Sequence, residues 1–367
     1  MKPRLWELGY GALVLTLLGL SMIPLYIQGT RGDWHDFDVY YGAARAVLAG
    51  EAIHTIAGSY QLPFWYPPWI AWAFIPFAFL TRSTGLLLYQ AASFVSAILV
   101  IHLLPRYYNP GSRVLDQLLI LTLAIPMSFQ VFIVGQMEFL FLVLLVGIIF
   151  AADRKKAFLV GILFPFLLAK PHLVLLFTFF LFWRVGKRAL LTSLASVGLM
   201  LVVATVIRPS WHLEMLAVLQ QAGPRIDGLR FTTLAALLGR QENWAGTANL
   251  PFVFVLFCMG LLLLWKVRTL PTVPLLSLAL AFSLLVAPRA YAYDLPLLVP
   301  TLIWLTADKF RERIWIWILA ALIPILTGYE SGSYLLTALV CGLGAWEAIR
   351  VVGREPRIIA HNGFGQS

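Results

Sequence analysis

Residues 33 to 38 read "DWHDFD", three aspartates and a histidine in six positions, and they run straight into "VYYGAARAVLAG". A carboxylate beside an apolar surface has two ordinary uses. It accepts from the free N–H groups that open a helix, or it takes a proton or a cation from something bound there. Both uses are open to Asp36 and to Asp38. "VGQMEFLF" (134–141) adds Gln136, an amide able to bond a sugar hydroxyl or to satisfy a loop, and Glu138, a charge well placed at a helix start. "AKPHLV" (169–174) sets Lys170 and His172 between two short apolar runs with almost no loop. A lysine there either snorkels to headgroups or binds an anion between helices. "APRAYAYDLPLL" (287–298) supplies Arg289, Tyr291, Tyr293 and Asp294. The forked guanidinium of Arg289 suits phosphate, and Asp294 is open to pairing Arg289 or capping the next segment.

A carboxylate, two cations and surrounding aromatics together suit a lipid-linked phosphate substrate. No Walker loop, HExxH or CxxC pattern occurs. His172 has no partners at ligand spacing, so neither a metal nor another cofactor is expected.

The elements that must position these residues lie in lipid. Of 367 residues, 60% are hydrophobic and 12% charged, well outside the shares of a soluble domain, and the mean hydropathy is +0.85. The net charge of +10 does not indicate nucleic acid, because Lys and Arg collect in short loops between apolar runs, as a topology signal does. Cys258 and Cys341 both fall inside apolar runs, where neither a disulfide nor a metal site is supported. The run 5–28 is long enough to cross and lacks a cleavage site, so it reads as a retained first span.

Further apolar runs follow to residue 348, several shorter than the roughly 20 residues a straight span needs. The basic segments "MKPR", "PRYYNPGSR", "DRKK", "WRVGKR", "KVR", "DKFRER" and the tail from Arg350 are expected on the cytoplasmic side. Alternation then puts both ends inside and brings 29–63, "GQME", "AKPH", 208–249, "APRAYAYD" and "GYESGS" to the outer face. It balances only if "FWYPPWIAWAFIPFAFL" (64–80), with three prolines and three Trp, dips in and returns or lies at the outer interface. The expectation is an all-α polytopic membrane protein of about 12 transmembrane helices, a single domain over 1–367. Its first outer loop (29–63) carries an amphipathic helix, with Val39, Ala43, Ala46 and Val47 on one face, Asp38, Tyr41 and Arg45 on another, and Gly50 as its stop. The loop 208–249, with Arg225, Asp227, Arg230, Arg240, Glu242 and Trp244, is a candidate lid.

"DFDVYYGAARAVLAGEAIH", "FWYPPWIAWAFIPFAFL", "VGQMEFLFLVLLV", "AKPHLVLL" and "APRAYAYDLPLLVP", in that order, resemble glycosyltransferase family 87. These are GT-C enzymes similar to polyprenyl-phosphate-mannose-dependent alpha-mannosyltransferases. The resemblance runs from about residue 30 to about 300. It implies a GT-C fold in a bacterial plasma membrane, a hexose donor, most simply mannose, carried on polyprenyl phosphate, a glycolipid or glycan acceptor, and an inverting displacement at the outer face. It also implies that Asp36, opening the D-x-x-V-Y pattern, is the catalytic base, with Asp38 the alternative. Lys170 and Arg289 are then the candidate phosphate ligands. Tyr40, Tyr41, Gln136, His172, Tyr293 and Asp294 are candidates for contact with sugar or acceptor. The chain departs from the family pattern at Arg289, where a histidine is usual; arginine can carry a phosphate role but no proton transfer. Two competing readings are a transporter or flippase of a lipid-linked sugar and a scaffold of envelope assembly. A transporter of the secondary type usually shows two related halves and midplane sites, and no such halves are visible here.

Overall fold

The computed structural model describes residues 35–54, 56–57, 62–222, 250–287, 290–327 and 329–362, with Gly9, Ala12 and Thr16 besides. The expected first span (5–28) apart from those three residues, Asp33, Pro288, Arg289 and the remainder of the candidate lid beyond residue 222 lie outside the described residues. Helices dominate, as hydrocarbon demands of a chain whose backbone polar groups must bond internally. In order they are α1 (His35–Ala49), α2 (Pro68–Ala78), α3 (Arg82–Tyr108), α4 (Val114–Val134), α5 (Glu138–Asp153), α6 (Ala157–Leu163), α7 (Leu175–Val185), α8 (Lys187–Ile207), α9 (Trp211–Ala222), α10 (Leu250–Lys266), α11 (Thr272–Val286), α12 (Val299–Thr306), α13 (Phe310–Thr327) and α14 (Tyr329–Asn362). Among the described residues the strands are two, β1 (Ile56–Ala57) and β2 (Leu62–Pro63), paired antiparallel.

Four helical stretches among the described residues are long and apolar enough to cross a membrane: Arg82–Tyr108, Val114–Val134, Lys187–Ile207 and Ser333–Gly353. Shorter apolar helices include Pro68–Ala78, Ala157–Ala169, Leu175–Val185, Val253–Lys266 and Thr272–Val286. The protein is thus a helical membrane protein in which whole helices alternate with broken ones. Among the described residues, several apolar runs of the sequence are divided. Between α6 and α7 the chain passes through two 3-10 segments, Phe164–Ala169 and Pro171–Leu173, each with a proline at its first or second position. A third, Ala292–Leu298, leads into α12.

The run 64–80 yields only the 11 residues of α2, about 16 Å at 1.5 Å per residue, roughly half of a hydrocarbon core. The chain turns at Thr81, whose hydroxyl accepts the Thr84 N–H, and enters α3. The stretch 64–104 therefore holds one full-length helix. The candidate lid opens as a helix, α9, rather than as loop.

α1 stops where expected, at Gly50 with φ +70°, but it is buried more widely than a surface helix. Besides Val39 and Ala43, its Phe37, Tyr40 and Ala44 are fully enclosed by the α2, α3 and α4 side of the bundle. Its Asp38, Tyr41 and Arg45 are pinned to the α2–α3 turn. Arg82 donates to both oxygens of Asp38 at 2.6 and 2.8 Å, Tyr41 donates to Leu80 O at 2.8 Å, and Arg45 donates to Ala78 O at 3.4 Å.

α11 is the centre of the molecule. Nearly every one of its residues is buried, since α5, α7, α10, α12 and α14 all pack on it; a helix apolar all round belongs in such a place. At the periphery α6 meets α8 with small residues at the contact, as is usual where helices approach closely in lipid. A Cβ on Gly161 would lie 2.3 Å from Thr192 Oγ1 and 2.8 Å from the Thr192 carbonyl carbon. Gly161→Ala should therefore destabilise the fold by about 1–3 kcal/mol, read as a lower Tm in detergent. Gly147→Ala, in open space on α5, should leave Tm unchanged or raise it.

Candidate active site

The site is organised by a short reversal between α4 and α5. α4 ends at Val134, and Gly135 adopts a left-handed conformation (φ +74°, ψ +36°) whose N–H, with that of Gln136, bonds back to Val131 O. Glycine is needed here twice over. An L residue is strained at that φ, and a Cβ would lie 2.9 Å from Phe37 Cβ and 3.2 Å from Phe37 N. The Tyr89 hydroxyl donates to Gly135 O at 3.0 Å while its ring lies 5.2 Å from that of Phe37. The reversal is thus pressed onto the first turn of α1, and its next residues, Gln136 and Glu138, enter two different clusters.

Gln136 serves the first. Its Nε2 donates to Asp36 Oδ2 at 2.8 Å, and its Oε1 accepts from the Tyr40 hydroxyl at 2.7 Å. Tyr40 in turn meets the Tyr66 hydroxyl at 3.1 Å. Asp36 is half-buried in the first turn of α1, Gln136 and Tyr40 are buried, and Tyr66 is partly exposed. Burial, with the Tyr66 and Asp36 charges adding to it, holds the Tyr40 phenol well above its ordinary pKa. Burial likewise raises Tyr66, with Asp36 and Asp294 contributing and the Tyr40 hydrogen bond opposing. Both phenols are neutral at physiological pH.

Glu138, first residue of α5, serves the second cluster. Its carboxylate is fully buried and pairs with the Lys170 ammonium; its Oε2 is enclosed without a hydrogen-bond donor. Lys170 also donates to Asp294 Oδ1 at 2.9 Å and sits 4.8 Å over the Tyr293 ring. It can reach both carboxylates because it occupies the junction of the two 3-10 segments, where the chain leaves helical geometry (φ −137°, ψ 64°). The second oxygen of Asp294 accepts the Tyr291 N–H at 2.7 Å, and the Tyr291 and Tyr293 rings stack at 4.9 Å. Asp294 thus both caps its segment and pairs a cation, and that cation is Lys170.

The two clusters adjoin at Tyr66, within electrostatic reach of Asp36 and of Asp294. One more bond joins their scaffolds. Trp69 Nε1 donates to Pro165 O at 2.9 Å, tying α2 to the segment that ends at Lys170. Among the described residues the clusters together contain three carboxylates and one ammonium. Such a group favours developing positive charge and neutral hydroxyls, and the Lys170 ammonium is already shared by two carboxylates.

Of the residues singled out from sequence, Asp36, Tyr40, Gln136, Lys170, Tyr293 and Asp294 come together here. Asp38 and Tyr41 do not: they lie on the other side of α1, bound to Arg82 and to Leu80 O, because that face of the helix meets the α2–α3 turn. Both are thus engaged away from the two clusters. His172 is half-buried in the 3-10 turn after Lys170. Sequence reasoning passed over two members. Glu138 read as a helix-start charge, although an acidic residue with apolar neighbours on both sides signals a buried pair. Tyr66 was visible only as part of "FWYPPW".

The family model for glycosyltransferase family 87 matches residues 64–288, more than half of the chain. The chain belongs to glycosyltransferase family 87. It is accordingly a membrane glycosyltransferase, with a sugar donor and an acceptor as substrates. The matched range holds Tyr66, Gln136, Glu138 and Lys170 and stops short of Asp36 and Asp294 on either side. No curated protein and no solved structure matches the chain.

Removing Lys170 from this family 87 site would leave two buried carboxylates facing each other. Lys170→Met should cost about 3–5 kcal/mol of stability, measured by thermal unfolding. Adding Glu138→Gln and Asp294→Asn to Lys170→Met should recover much of that loss, since no buried charge then remains unpaired.

Proposed function

We propose that this glycosyltransferase moves a hexose, in the first instance mannose, from polyprenyl phosphate to a hydroxyl of a glycolipid or glycan acceptor. The reaction takes place at the outer face of a bacterial plasma membrane spanned by about 12 helices in the GT-C arrangement, with both termini inside. The observation that carries this reading is the Asp36 carboxylate, half-buried, opening a helix, and oriented by the Gln136 amide at 2.8 Å.

The chemistry is a single inverting displacement. Asp36 removes the proton of the acceptor hydroxyl as that oxygen bonds to the anomeric carbon. The bond from the anomeric carbon to the phosphate oxygen breaks on the opposite side, and polyprenyl phosphate leaves with the electron pair. No general acid is required for so good a leaving group. Positive charge develops on the sugar ring in the transition state, which the acidic excess of Asp36, Glu138 and Asp294 over Lys170 stabilises. The phosphate needs cations of its own. Lys170 supplies one when the donor displaces Asp294 from it, and Arg289, in the same loop as Tyr291 by sequence, is the second.

Asp38 is a poor base by comparison, since Arg82 already occupies both its oxygens. Release of polyprenyl phosphate by purified protein, given a panel of polyprenyl-phosphate sugars with total membrane glycolipid as acceptor, tests the scheme. Asp36→Asn should lower kcat by about 10²- to 10⁴-fold with the fold intact. Asp38→Asn should stay within about tenfold of wild type, because it loses a largely exposed ion pair worth about 1 kcal/mol. Turnover surviving Asp36→Asn would move the base elsewhere, and donor binding without any turnover would point to transport.

A further inference from the structure

We infer that Tyr66 positions the acceptor sugar, its phenolic oxygen accepting a hydrogen bond from an acceptor hydroxyl beside the one that Asp36 deprotonates. This deepens the glycosyl-transfer reading and rests on it for the word acceptor. Four consecutive hydrogen-bonding groups, from Asp36 to Tyr66, have one possible direction.

The direction is forced from one end. An ionised carboxylate only accepts, so the group that Gln136 presents to Asp36 must be its NH2. The amide oxygen then faces Tyr40, and a carbonyl oxygen also only accepts, so Tyr40 gives its single proton to Gln136. In the contact between the two phenols, Tyr40 has no proton left to give. Tyr66 is therefore the donor and Tyr40 the acceptor. Tyr66 thus spends its proton inward, and among the described residues its hydroxyl has no partner but Tyr40. Its remaining lone pair has no partner among the described residues, and Tyr66 as a residue is only partly buried.

A group that binds there must donate. A sugar hydroxyl does so; a phosphate diester or carboxylate, acceptor-only at neutral pH, is refused. The chain thereby separates the two substrates, a neutral hydroxyl on the Tyr66 side and the anionic donor linkage on the Lys170 side. Tyr66 is also held in orientation by edge-on packing against Phe64 at 5.4 Å and by the Tyr40 ring at 5.4 Å. Losing one neutral hydrogen bond of this kind weakens binding by about 3- to 10-fold, and the loss is specific to the hydroxyl concerned.

The test uses the full chain in lipid nanodiscs and methyl glycosides of mannose, glucose and galactose, each with its monodeoxy analogues, titrated by tryptophan fluorescence. Wild type should lose about 3- to 10-fold on removal of one particular hydroxyl. Tyr66→Phe should weaken the parent glycoside by the same factor and bind that one deoxy analogue as wild type does, a non-additivity that general damage does not produce. Tyr40→Phe should soften the same discrimination, because Tyr66 is then free to turn its proton outward. The inference is overturned if no glycoside binds wild type, if Tyr66→Phe binds the whole panel like wild type, or if it weakens every analogue equally. A parallel transfer assay separates the two claims. Loss of turnover in Asp36→Asn with an unchanged acceptor KM in Tyr66→Phe defeats this inference alone. A hydroxyl-specific Tyr66 effect with no turnover by wild type on any donor defeats the transferase scheme and leaves the hydroxyl contact standing.

Discussion

The reversal at Gly135 is the constraint on which the site depends. Two α-helices meet there with Gln136 and Met137 between Gly135 and Glu138, so Gln136 and Glu138 are held by a rigid joint in place of a loop. The joint can press against Phe37 only because Gly135 has no side chain and tolerates a positive φ. From it, one side chain orients Asp36 and the other anchors Lys170. A displacement of the joint by the width of a methyl group would move both, which is why the geometry of two clusters far apart in sequence is a single property of the fold.

Electrostatics accounts for the form of the second cluster. A buried lysine in a membrane protein is costly unless paired, and Lys170 is paired twice, with Glu138 and Asp294. Two carboxylates on one ammonium leave an acidic excess, to which Asp36 adds. Among the described residues that balance favours hydroxyls and a developing cation. The tyrosines fit the same logic, since the neutral phenols of Tyr40 and Tyr66 bond an amide and each other without adding charge.

Broken helices are the means of bringing such groups to one place. Irregular backbone at membrane depth is tolerated only where protein covers it or a polar cavity receives it. The 3-10 segments around Lys170 and before α12 meet this condition. They pack on α11 and α5, and their free backbone groups bond to neighbours, as Pro165 O does to Trp69. α2, too short to cross, belongs to the same set: it cradles α1 and carries Trp69, with Tyr66 just before it.

Much of this was legible in the residues. The apolar runs and their composition determine a helical membrane protein, since nothing else satisfies so apolar a backbone in lipid. The α1 helix and its stop at Gly50 follow from local spacing, and the Asp36, Gln136, Lys170 and Asp294 motifs stand out because polar groups amid apolar runs are rare. Partners were not legible. Which carboxylate Arg82 takes, that Lys170 belongs to Glu138 and Asp294, and that Tyr41 turns away while Tyr40 turns in are decided by which helix faces meet across 26 to 124 residues of chain. Local periodicity carries no information about such distant pairings. How each apolar run is used was hidden from the sequence for the same reason: hydropathy registers an apolar run, and only packing decides whether it stays one helix, as 114–134 does, or breaks to place a lysine, as 157–185 does.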